Sequence, residues 1–379
     1  MQLRLMIAAA AAMRIFQILE FNQFNTGSVH QMFQAAVGLR ERGHEVTVIS
    51  RPDAVLQQRC EARGIDFAGL PMRNQFDLAS VRELQRLIAG KQPDVIHVHK
   101  GVAHALALAA TWRRRVGAFV VNRGVSFPLD IWNRGKFRTR RVDRIVTVCE
   151  QIRQVVISSG KLPADKVTVI YAGTDVNEFD PAKWDRRAFR REKNIADDRF
   201  LIAQVGVRDW KGWKELIDAA AAVLPSHPKI HLALIGCRNE SEAAEVDRYA
   251  SERGVDQHVV AVEYRTDMPN VFASCDLVVD ASWAGTGITG TVREAMAMQK
   301  PVIATDCGGN AELVSSGDVG WLVPPRDVNA LATALRDVVE HPDRAASVAR
   351  NARRHVVHGF SKDLRISRLE ELYSKILGF

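Results

Sequence analysis

The chain has 379 residues and is 47% hydrophobic, 25% charged and only 7% aromatic. That is the profile of an aliphatic-rich globular enzyme of roughly two or three domains, not of a chain that is mainly disordered or collagen-like. No run approaches the ~18 apolar residues of a membrane-spanning helix. Five cysteines (Cys60, Cys149, Cys237, Cys275, Cys307) stand far apart with no CxxC, which argues against a disulfide framework or structural zinc and for a reduced, cytoplasmic setting. The net charge of +8 is uneven: residues 1–170 carry +12 and residues 171–379 carry −4. The first half is therefore the one to meet an anionic surface or substrate.

Residues 1–12 hold MQLR and a short apolar run, the outline of a secretory signal. Because MRIFQILE from Met13 is already a complete buried-strand pattern, the fold is expected to start there, with residues 1–12 a dispensable leader. After the strand Arg14–Leu19, Val29, Met32, Phe33, Ala36 and Val37 fall on one face of a helix. Arg40 and Arg42 in its last turn and Gly43 after it form a stop signal. Strands are expected at 45–50, 94–97, 118–122, 144–148 and 167–171, with helical stretches between. Residues 172–198 are polar and charged, contain Pro181, and read as a linker. A second series follows at 201–205, 230–235, 259–262, 277–279 and 302–305. Alternation of this kind implies parallel sheets covered by helices on both faces. The expected fold class is α/β, with two Rossmann-like domains, 13–180 and 181–360, facing each other across a cleft. Ligands in such sheets bind beyond the carboxyl ends of the strands. A last helix, 361–379, is capped by Ser361 and carries the stripe Ile366, Leu369, Leu372, Tyr373 and Ile376. Either domain, including the first, is open to it as a packing partner.

The most informative stretch is 283–305, WAGTGITGTVREAMAMQKPVIAT. A loop with Gly285, Gly287 and Gly290 leads into a helix, whose first amides and dipole suit a phosphate. Glu294, expected in the first turn, has two readings: the end of a capping box begun by Thr291, or a carboxylate that accepts from ribose hydroxyls. The turn GVRDWKG, residues 206–212, places Arg208 and Lys211 at a strand's end. Two such cations suit a diphosphate, or are simply solvated. CGGNAELV, residues 307–314, is another strand-to-helix turn, where Gly308 and Gly309 permit close backbone approach.

With RGHEVTVIS (42–50), DVIHVH (94–99), VDRIVTVCEQIRQ (142–154), KVTVIYAGTDVNEF (166–179), REAMAM (293–298), KPVIATDCGGNAELV (300–314) and GWLVPPRD (320–327), the chain resembles glycosyltransferase family 4 over nearly all of 13–379. The resemblance implies the GT-B architecture and a nucleotide-sugar substrate, linked to UDP, GDP or ADP, bound mainly by the second domain. It implies retention at the anomeric carbon, with no metal and no cofactor. By it, Arg208 and Lys211 hold the diphosphate and offset leaving-group charge, helped by Gly287, Thr289 and the amides near Gly290 and Thr291. Glu294 matches the second glutamate of the family's E-x7-E motif and becomes the ribose ligand. Residues 263–265, with Tyr264 and Arg265, would line the base pocket. Three departures stand out. Thr286 occupies the place of the first glutamate, so the donor sugar or its orientation is expected to differ. The spacing from Gly206 to Lys211 is one residue short. Arg123-Gly124 stands where many members carry a histidine-glycine pair, and an arginine cannot act as a base; a phosphate or acidic sugar suits it instead. Thr26-Gly27 replaces a Gly-Gly pair, with Gly27 either approaching the donor or acceptor, or serving as an ordinary turn residue.

His97 and His99 share one face of a strand end, followed by Lys100; these are candidates for the acceptor side or the cleft, and zinc lacks a third ligand. Arg134, Lys136, Arg138, Arg140 and Arg141 belong to a stretch with six cations in eleven residues, 134–144. It reads as a solvated face or as a contact with an anionic membrane or phosphorylated glycolipid. No nucleic-acid motif is present. The expected function is a retaining, metal-independent glycosyltransferase acting on a glycan or glycolipid acceptor in bacterial lipopolysaccharide or other surface-polysaccharide synthesis. It would be cytoplasmic and peripheral on the inner face of the plasma membrane. The alternatives are a GT-B homologue that binds nucleotide-sugar or glycan without turnover, and a nucleotide-sugar epimerase.

Overall fold

A computed structural model describes residues 12–22, 27–284, 287–314 and 317–379. Residues 1–11 of the expected leader, together with Thr26, Gly285 and Thr286, lie outside the described residues. The chain divides into two compact units: Met1–Gly173 with Lys362–Phe379, and Thr174–Ser361.

Unit one is built on seven parallel strands: β1 Arg14–Leu19, β2 Glu45–Ser50, β3 Asp66–Gly69, β4 Val95–Val98, β5 Ala118–Arg123, β6 Arg144–Thr147 and β7 Val167–Val169. Their order is β3-β2-β1-β4-β5-β6-β7. The chain steps outward from β1 to β3 and then crosses back to β4, so β1 and β4 flank the switch point where such sheets hold ligands. Five consecutive residues of β1 are buried, as a strand covered on both faces requires. Helix Gly27–Glu41 buries Val29, Met32, Ala36 and Val37 and stops before Gly43, whose φ of +93° few other residues tolerate. The C-terminal helix Lys362–Leu377 belongs to this unit, with Ile366, Leu369, Leu372 and Tyr373 buried. Gly38 makes room for it: a Cβ at that position would lie 2.0 Å from Ile366 Cδ1.

Unit two repeats the plan with six parallel strands: β8 Phe200–Val205, β9 Ile230–Cys237, β10 Val259–Glu263, β11 Leu277–Asp280, β12 Val302–Thr305 and β13 Trp321–Val323. Their order, β10-β9-β8-β11-β12-β13, puts the switch point between β8 and β11.

Two strands escape the sequence reading. β3 and β13 are short edge strands whose mixed burial leaves little apolar signal. The stretch 172–198 is not a free linker. Within it, helix Ala188–Glu192 buries Phe189 and Arg190. The Arg190 guanidinium donates to Asp276 at 2.6 Å and to the carbonyls of Ser274, Ala196 and Arg199. A polar sequence with a charged core residue looks solvated until those partners are known.

Candidate active site

In unit two the carboxyl ends of β8, β11 and β12 bring together a polar cluster. β8 leads into Gly206, whose φ of +100° and missing Cβ let the Lys211 stem cross it; a Cβ there would lie 3.1 Å from Lys211 Cγ. Lys211 ends the short turn Asp209–Lys211, and Gly212 follows at φ +69°. A side chain at Gly212 would strike the Ala281 carbonyl at 2.0 Å, so the turn can sit against β11 only with glycine there. Gln204 ties the two segments, donating to the Lys211 carbonyl at 3.1 Å and accepting from Ala281 N at 3.4 Å.

Asp280, the last residue of β11, lies at the centre. It is buried, 3.7 Å from Lys211 Nζ, and accepts from Ser282 Oγ at 2.5 Å and Asn310 Nδ2 at 3.2 Å. Burial opposes its ionisation, but the Lys211 charge and those hydrogen bonds prevail and hold it below the usual carboxylate range. Asn310 also donates to the Thr305 carbonyl and accepts from Thr289 N, both at 3.2 Å, and so joins β12 to the N-cap of helix Gly290–Ala297. Asp280, Ser282, Thr305 and Asn310 were all missed by sequence reasoning. The available signal was a carboxylate closing the otherwise apolar run LVVD.

The other donor-side candidates are placed as follows. Arg208 is exposed beside Lys211, and its side chain makes no hydrogen bond or ion pair among the described residues. Gly287, Thr289, Gly290 and Thr291 run along the start of the helix. Its N-cap is Thr289, without a side-chain cap bond, so Thr291 lies inside the helix and the capping-box reading is corrected. Glu294 consequently sits in the second turn rather than the first. It is half-buried, with Oε1 3.6 Å from where a Gly290 Cβ would be. Burial pushes its carboxyl up, Arg293 pulls it down, and Glu178 adds to the rise. Tyr264 is exposed, but Arg265 is committed: its guanidinium holds Glu192 at 2.5 Å and Asp267 at 2.7 Å. Thr286 lies outside the described residues.

In unit one, His97 and His99 share a face, their rings stacked at 4.4 Å. Both are buried. His97 Nδ1 meets Tyr373 Oη of the C-terminal helix at 2.6 Å, and His99 Nε2 meets Gln17 Oε1 at 2.6 Å. Burial first, and the Arg365 charge next, pull His97 down to about 3; burial, His97 and Arg365 hold His99 well below its ordinary value. The two are neutral tie-points between sheet and helix. Gly27 opens the first helix with no atom within 4 Å of a would-be Cβ. Lys100 lies over the Phe21 ring at 4.9 Å, and Arg123 donates to the Phe127 carbonyl at 2.7 Å. Of the basic stretch, Arg138 and Arg140 are exposed. Arg141 instead binds the Thr111 carbonyl at 2.7 Å and stacks on Trp112, and Lys136 reaches the Gly101 carbonyl at 3.4 Å. Arg134 is half-buried.

Among the described residues no group of three or more His, Cys, Asp and Glu could hold a metal ion, and no helix is long and apolar enough to cross a membrane. Two family models match the chain, Glycosyltransferase Family 4 over residues 26–178 and Glycosyl transferases group 1 over residues 185–355. The putative glycosyltransferase YtcC of Bacillus subtilis (strain 168) is 24% identical over 365 residues, covering 93% of this chain and 88% of the relative. The lipopolysaccharide core biosynthesis mannosyltransferase LpsB of Rhizobium meliloti (strain 1021) is 25% identical over 252 residues, 64% of this chain and 68% of its own. Among solved structures, a glycosyltransferase from Rickettsia africae ESF-5 superposes with a TM-score of 0.87 at 19% identity, covering 97% of this chain and 99% of that one. Anabaena Alr3699/HepE in complex with UDP-glucose gives 0.81 at 22%, covering 96% and 100%. With one model on each unit and two parallel α/β sheets beneath them, the chain belongs to glycosyltransferase family 4 and is a glycosyltransferase of the GT-B fold.

Proposed function

We propose that unit two binds a nucleotide-sugar and that the sugar passes, with retention and without a metal ion, to a glycan or glycolipid acceptor held by unit one. The observation that carries this reading is the Lys211–Asp280–Asn310 cluster at the β8/β11 switch point, beside the start of helix Gly290–Ala297. An ammonium, the exposed Arg208 guanidinium and the free amides of a helix start are the donors a diphosphate leaving group calls for. Glu294, one turn further on, is the ribose ligand in this reading, and Tyr264 the side chain open to the base. UDP-glucose in the Anabaena relative supports a nucleotide-sugar donor. Relatives named for lipopolysaccharide core synthesis and for a galactosyltransferase acting on diphosphoundecaprenol support a role in bacterial surface glycans. We place the reaction in the cytoplasm, with the exposed Arg138 and Arg140 turned to the anionic inner face of the plasma membrane.

The test is turnover of a panel of UDP-, GDP- and ADP-sugars with and without glycolipid acceptors, in EDTA. Sugar transfer that persists under chelation, with the anomeric configuration kept, is the expected outcome. Loss on chelation that Mg2+ or Mn2+ restores overturns the metal-free mechanism. Nucleotide-sugar binding with no acceptor-dependent release turns the reading to a binding protein, and interconversion of donor sugars turns it to an epimerase.

A further inference from the structure

Unit one holds a group of cations that the donor reading leaves unused. In the register of β4 and β5, Val98 lies opposite Val121. Two residues further along the chain come Lys100, just past the carboxyl end of β4, and Arg123, the last residue of β5. Helix Ile131–Arg138 brings a third cation, Lys136, whose Nζ reaches the Gly101 carbonyl just after Lys100. Among the described residues none of the three has a carboxylate within 4.0 Å. The nearby acids, Asp130 and Glu20, oppose these charges without touching them and are hydrogen-bonded elsewhere. Glu20 accepts from the Val102 and Ala103 amides at 3.2 and 3.3 Å, and Asp130 accepts from Asn133 N at 2.8 Å. Arg123 Nε is closed off from solvent without a partner. Burial pulls Arg123 down more than Asp130 pulls it up, and burial followed by the Arg123 charge pulls Lys136 down against the opposing pull of Asp130 and Glu20. Like charges gathered in a partly desolvated place with no carboxylate in contact are unfavourable, and a bound anion relieves them.

Apolar side chains stand next to the cluster. Trp132 is 92% exposed and lies one helical turn before Lys136, on the same face. Phe127, whose carbonyl holds Arg123, is 63% exposed. We propose that Arg123, Lys136 and Lys100 form a phosphate-binding site for the acceptor. A guanidinium fork with two ammonium groups matches the charge and shape of a phosphate ester. The exposed Phe127 and Trp132 favour an ester carried on an apolar chain over a free sugar phosphate. This inference rests on the reading that unit one holds the acceptor.

The experiment uses the full chain, saturated with whichever of UDP, GDP or ADP it binds, so that no probe enters the donor site. Calorimetry compares farnesyl phosphate, farnesol and glucose 1-phosphate. The wild type is expected to bind farnesyl phosphate about 10-fold or more tighter than farnesol. Arg123→Gln with Lys136→Gln removes that preference, while Arg123→Lys keeps part of it. Farnesyl phosphate binding above glucose 1-phosphate identifies a lipid-linked source, and equal binding identifies a soluble phosphorylated glycan. Two results overturn the site: a wild type indifferent to the phosphate, or a double variant with native melting temperature that keeps the preference. A wild type that binds a nucleoside diphosphate yet ignores phosphate refutes this inference alone. One that binds no nucleotide refutes the donor reading instead.

Discussion

Lys211 and Asp280 make a coupled pair, and their coupling can be measured. On the proposed function, Lys211→Ala should remove one charge-assisted contact to the donor diphosphate, a loss of roughly 1.5–3 kcal/mol in donor affinity. Asp280→Asn keeps the size of the side chain and its place beside Ser282 and Asn310, but releases the Lys211 ammonium from its 3.7 Å partner. Donor affinity should fall less than in Lys211→Ala. The two effects should also fail to add, since once Lys211 is gone Asp280 has nothing to position. A double-mutant cycle on nucleotide binding checks this; strict additivity would show that Asp280 serves the fold alone. Glu294→Gln addresses a second residue. Thr289, not Thr291, caps helix Gly290–Ala297, and Glu294 plays no part in that cap. The variant takes a counter-charge from the buried Arg293 and should melt somewhat below the wild type, while staying folded and binding donor much more weakly. Unchanged donor affinity would take Glu294 out of the site.

At the scale of elements, the C-terminal helix is held to the sheet by a polar seam as well as an apolar one. Tyr373→Phe leaves His97 Nδ1 and Gln17 Nε2 without their shared partner, at a cost of roughly 1–3 kcal/mol. Thermal or urea unfolding reads that loss. The same seam sets a pH response. His97 binds a proton near pH 6.5 once unfolded, but only near 3 when folded, because burial and then Arg365 oppose its charge. Below pH 6.5 the unfolded chain takes up more protons than the folded one, so stability is full above that value and falls as the pH drops towards 3. His97→Gln should flatten the melting temperature between pH 6.5 and 4 relative to the wild type. An unaltered slope would mean that other groups dominate acid unfolding. The elements themselves were largely legible in the sequence, because a strand such as Arg14–Leu19 writes its burial as an apolar run. Arg190 was not legible: its environment is made of carbonyls and of Asp276, far along the chain, and nothing local signals them. Lys211 could be named from its turn, whereas Asp280 gains meaning only when β11 is laid beside β8. His97 and His99 were candidates for the acceptor side or the cleft because the sequence shows their spacing but not Tyr373, which lies at the other end of the chain.

For the whole molecule, the division of the chain has a temporal meaning. Unit one is assembled from residues up to Gly173 and then from Lys362–Phe379, with all of unit two made in between. On the ribosome the first sheet emerges early, yet Val29, Met32 and Leu39 share a core with Ile366, Leu369 and Tyr373, which are translated only after all of unit two. Until then Gly38 faces no Ile366, and His97 has no hydroxyl partner. The nascent first unit should behave as a loosely packed intermediate of the kind that chaperones hold. Stalled chains ending before residue 362 should be cut by protease within 12–173, and chains carried through to residue 379 should become resistant there. Equal resistance in the two would mean that the sheet closes its core without the helix. A break in translation anywhere in the second unit would then leave the first unit unfinished as well.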